Sequence, residues 1–68
     1  MEKVTLSVSG MSCGHCEKAV KGALEGLNGV HHVTVYLQEG KVDVEFDATK
    51  VDIAALKQAI EEQGYDVA

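Results

Sequence analysis

The apolar residues of this chain change period as the sequence advances, and the order of those changes leaves few folds open. Val4, Leu6 and Val8 alternate with Thr5, Ser7 and Ser9, the period of two that gives a strand one buried face. Gly10 ends that run. Cys16, Ala19, Val20, Ala23, Leu24 and Leu27 follow at spacings of three and four, which line one side of a helix. Gly26, Asn28 and Gly29 stop it. Alternation returns at Val33, Val35 and Leu37, and again at Val42, Val44 and Phe46, with Glu39-Gly40 between them as a turn. Two such runs joined tightly predict an antiparallel hairpin. Asp47, Ala48 and Thr49 lead out of the sheet. Asp52 suits a helix N-cap, ahead of Ile53, Leu56 and Ile60, again spaced by three and four. Gly64 closes this second helix. Tyr65 and Val67, alternating with Asp66 and Ala68, predict a last short strand.

Strand, helix, strand, strand, helix, strand describes two βαβ-like halves. That order predicts an α+β fold, a ferredoxin-like βαββαβ sandwich in which a four-stranded antiparallel sheet carries both helices on one face. A chain of 68 residues has room for one domain, spanning 1–68, and its modest core must be packed economically. No linker, low-complexity stretch or composition break divides it.

Charge and hydropathy narrow the functions. A net charge of −5 argues against nucleic-acid binding, which wants a basic footprint. It permits docking to a basic partner surface, although solubility accounts for it as well. No run approaches the ~20 apolar residues of a membrane span, so no direct membrane insertion is expected. Nothing at the N-terminus reads as a secretion signal, and the expected location is the cytoplasm. Thiols stay reduced there, so a close cysteine pair points to metal binding or redox work rather than to a structural disulfide.

Gly10-Met11-Ser12-Cys13-Gly14-His15-Cys16 holds both cysteines of the chain, after a strand pattern and at the start of a helix pattern. Cys13 is expected in the loop and Cys16 in the first helical turn. A helix N-terminus presents unpaired N–H groups and partial positive charge, both of which favour thiolate over thiol. Lys18 and Lys21 lie nearby. Two thiolates can grip one soft ion with linear S–metal–S geometry, but they cannot complete a tetrahedral zinc site. Such an open site suits Cu(I), and leaves room for a third thiolate to attack and carry the ion away.

At these positions the sequence resembles heavy-metal-associated domains, the Gly-Met-x-Cys-x-x-Cys family, and among them the bacterial CopZ-type copper chaperones. Gly64-Tyr65-Asp66-Val67 is similar to the family's last loop and strand. The resemblance covers essentially the whole chain. It implies a non-enzymatic role in copper homeostasis and ion transport: Cu(I) held by Cys13 and Cys16, and exchanged with the metal-binding domain of a copper-transporting P-type ATPase. A copper-responsive regulator is the alternative recipient. It also places Tyr65 beside the metal loop, where its ring would shield the ion. Ser12, where zinc-handling relatives tend to carry a carboxylate, argues for copper. A Zn(II), Cd(II) or Hg(II) module of the same fold, an excised ATPase domain and a small thiol-disulfide redox protein remain alternatives. The last is disfavoured by the absence of proline, since thioredoxin-like sites use a cis-proline.

Met11 reads as a core anchor for the loop rather than a thioether ligand. His15, between the cysteines, is expected to point outward and to tune the thiolates or meet a partner. His31 and His32 begin the second strand, where alternation would send them to opposite faces, and they read as surface residues. Asp43, Glu45 and Asp47 read as a solvated strand face. The apo protein is expected to be a monomer, with a copper-bridged dimer available to the loaded form.

Overall fold

Each change of period marks a change of element in the computed structural model, which describes residues 1–11 and 14–68. The order is β1 (Glu2–Ser9), α1 (Gly14–Glu25), β2 (Val30–Tyr36), β3 (Lys41–Phe46), α2 (Ile53–Glu62) and β4 (Asp66–Val67). The strands form one sheet in the order β2-β3-β1-β4, with every pairing antiparallel. Register follows the alternation: Val4 lies opposite Val44 and Leu6 opposite Val42, while Val33 and Val35 meet the same two residues from the other side. A one-residue slip would turn all of them to water, so burial of one face specifies the register.

The core lies between that face and the helices. Leu24, Leu56, Ile60, Val20, Val33, Val42 and Val44 are its fully buried large side chains. Truncating one such leucine to alanine costs about 2–5 kcal/mol, a large share of the stability of so small a domain. Asp52 caps α2 as expected, its Oδ1 accepting from the Ala55 N–H at 2.8 Å. No helix among the described residues is long and apolar enough to cross a membrane.

Four details depart from simple periodicity. Leu27 falls beyond α1, which ends at Glu25, yet it still packs on the core because its N–H reaches the Leu24 carbonyl at 3.1 Å and continues the turn. Ile53 opens α2 but stays 43 % exposed, and Val51 takes the buried place ahead of the helix. Asp47 lies past the end of β3, where its carboxylate accepts from the Thr49 hydroxyl at 2.6 Å and the Thr49 N–H at 2.9 Å. It organises a turn instead of lining a solvated strand face.

His31 and His32 are the fourth departure. Val30 pairs with Phe46 and His32 with Glu45, so His31 is an extra residue in a β-bulge. Both histidines are exposed, and they lie on the same side rather than on opposite faces. Val30 and Val33 are three residues apart and both pack inward; the bulge absorbs the odd step between them.

Candidate metal centre

Antiparallel topology gathers three connections at one end of the molecule. β1 climbs to Gly10, the turn between β2 and β3 returns at 37–40, and α2 delivers the chain to Tyr65 before β4. The Val8 N–H donates to the Gly40 carbonyl at 2.7 Å, and the Ala68 N–H to the Ser7 carbonyl at 2.9 Å. These bonds hold the end of β1 from both sides, three residues or fewer before Gly10.

The loop leaves the sheet through a conformation that demands glycine. Gly10 has φ +98°, and a Cβ there would stand 3.3 Å from Tyr65 Cδ1. The Tyr65 ring therefore lies directly over the backbone that enters the cysteine motif, and its body packs on the core. In the sequence Gly10 reads as a strand end and a motif residue. Its contact with Tyr65 crosses the whole chain and leaves no local signal.

Met11 turns inward at 8 % exposure and joins the core. Ser12 and Cys13 lie outside the described residues. Cys16 is the third residue of α1, half-buried and packed on the core edge. His15 precedes it and Lys18 and Lys21 follow it, all three exposed. Glu17 also sits in the first turn, where a carboxylate is stabilised by the helix N-terminus. Among the described residues no three His, Cys, Asp or Glu side chains converge on a point that would hold an ion. A shallow groove lined by Phe46, Ile53, Glu2 and Asp52 lies at the far end of β1, so its two carboxylates share nothing with the cysteine loop. His31 and His32 also lie at that far end, because β2 runs parallel to β1 and begins there.

Residues 5–66 match the heavy-metal-associated domain family. The copper chaperone CopZ of Bacillus subtilis (strain 168) is 57% identical over 68 residues, which cover 100% of this chain and 99% of that one. A solved CopZ metallochaperone superposes with a TM-score of 0.97 at 48% identity, covering 98% of this chain and 100% of that one. A crystal structure of a copper binding domain from HMA7, a P-type ATPase, also reaches a TM-score of 0.97, at 35% identity over 100% of this chain and 92% of that one.

Proposed function

The chain belongs to the heavy-metal-associated domain family, and from that premise we propose that it is a cytoplasmic copper chaperone. Its cargo is one Cu(I), held by the thiolates of Cys13 and Cys16. The observation that carries the reading is full-length likeness, at 57% identity, to a protein named as a copper chaperone. The chain's own chemistry agrees with it: a second cysteine three residues before Cys16 in the sequence, and Cys16 in the first turn of α1 on the boundary between core and solvent.

Transfer proceeds by thiolate exchange. A cysteine of the partner loses its proton and attacks the ion, forming a third sulfur–copper bond. One bond to Cys13 or Cys16 then breaks and the freed thiolate takes up a proton; repetition moves the ion across. Copper stays Cu(I) throughout, and no substrate bond is made or cut, so the protein is not an enzyme. Met11 pins the loop to the core, His15 stands outward where a partner arrives, and the Tyr65 ring covers one flank. The partner is the metal-binding domain of a copper-transporting P-type ATPase, a reading supported by the likeness to such a domain. Exposed two-coordinate sites also allow two loaded copies to share copper through bridging thiolates.

The test is an anaerobic Cu(I) titration against a strong chromophoric chelator, with Zn(II) run in parallel. Tight, thiol-dependent capture of Cu(I) with much weaker Zn(II) binding is expected. Comparable Zn(II) affinity would move the assignment to a general heavy-metal module, and failure to bind either ion would overturn it.

A further inference from the structure

The bulge at the start of β2 places His31 and His32 at the end of the molecule remote from the cysteine loop. His31 and His32 together oppose one residue of β3, Glu45, and both are exposed. Two residues facing one across a bulge share its side of the sheet, here the face turned away from the helices. In an unbulged strand the two rings would diverge. Asp47, just past β3, stands within electrostatic reach of His31. Neutral imidazole is a ligand for borderline divalent ions, and adjacent imidazoles on one side can bind as a pair.

We propose that His31 and His32 form a second, thiol-free site for a borderline divalent transition-metal ion such as Ni(II), Zn(II) or Cu(II). Among the described residues no third ligand completes a cluster, so the protein supplies two nitrogens and water fills the other positions. The site is open and readily exchanged. Its nearby carboxylates, Glu45 and Asp47, favour a cation, while Lys3 opposite Glu45 on β1 and Lys50 beside Asp47 oppose one. It differs from the cysteine pair in ligand softness and in place, and it is independent of the copper reading.

The experiment is an amide NMR titration of the Cys13→Ser/Cys16→Ser protein with Ni(II), whose paramagnetism broadens signals near it. Broadening is expected first at His31, His32 and Glu45. His31→Ala and His32→Ala should each weaken binding at least about ten- to a hundred-fold, the loss that follows removal of even a supporting group from a metal site. His15→Ala should leave it unchanged. Broadening centred on His15, scattered over the carboxylates, or unaltered in the histidine variants would overturn the proposal. Should the serine substitutions unsettle the fold, wild-type protein is titrated beside His31→Ala/His32→Ala. A histidine-dependent binding step must then be present in the first and absent in the second, and its absence from both rejects the site.

Discussion

The Tyr65 ring rests on the backbone of Gly10, so close that a Cβ at residue 10 would stand 3.3 Å from Tyr65 Cδ1. One residue opens the cysteine loop and the other ends the α2–β4 connection, so the contact ties both termini of the fold to the candidate centre. Gly10→Ala meets two costs: a left-handed conformation, worth about 1–2 kcal/mol for a residue with a Cβ, and crowding against the ring. In the Tyr65→Ala background the crowding disappears and the conformational cost remains. Urea unfolding of the double-mutant cycle should show a coupling of about 0.5 kcal/mol or more. Strict additivity would mean that the ring does not constrain the loop.

Met11 separates anchoring from ligation. Met11→Leu keeps the buried volume and should cost under about 1.5 kcal/mol, with Cu(I) affinity unchanged. Met11→Ala should cost about 2 kcal/mol or more through the cavity it leaves. A large loss of affinity in the leucine variant would assign the thioether to the metal.

Cys16→Ser tests the proposed two-thiolate cargo site. The hydroxyl is close in size and stands at the edge of the core, so stability should change by no more than about 1 kcal/mol. Tight Cu(I) capture should disappear, because a neutral hydroxyl is a poor ligand for a soft ion. Chelator competition measures the affinity and circular dichroism the fold; wild-type affinity in the variant would reject the site.

Two glycines should respond in opposite directions to alanine. Gly22 lies within α1 with nothing within 4 Å of an added Cβ, so Gly22→Ala should stabilise by about 0.5–1 kcal/mol. Gly29 has φ +107°, and its Cβ would stand 2.8 Å from Lys50 Cβ and 3.1 Å from Val51 Cγ1. Gly29→Ala should destabilise by about 2 kcal/mol or more. Thermal unfolding of both variants reads the two signs.

Asp47 should make the fold acid-sensitive. The Thr49 hydroxyl and then the Thr49 N–H, each donating to the carboxylate, hold it below its ordinary value of 3.8, with Lys50 and His31 adding to the effect. Because the folded value is depressed, the unfolded chain binds the proton more readily. The contribution to stability is full above 3.8 and is lost as pH falls through the lower folded value. Denaturant unfolding at stepped pH should therefore show a shallower acid decline for Asp47→Asn than for wild type. Identical slopes would remove Asp47 from the acid response.

The sequence by itself determined the elements and their faces. Alternation at Val4, Leu6 and Val8 and helical spacing at Val20 and Leu24 are local consequences of burying one side of a strand or helix, and local patterns can be read in order along a chain. Cys16 in the first turn of α1 and Met11 as a buried residue after β1 were legible for the same reason. Only the tertiary structure decided that Tyr65 covers Gly10, that the Gly40 carbonyl holds Val8, and that Asp47 binds Thr49 instead of lining a strand. It also decided that His31 and His32 share a side. Periodicity assumes an unbroken register, whereas the bulge arises because Val30 and Val33 must both reach one core while β2 pairs with β3. That demand is set across the sheet by residues distant in the chain, and no local pattern carries it.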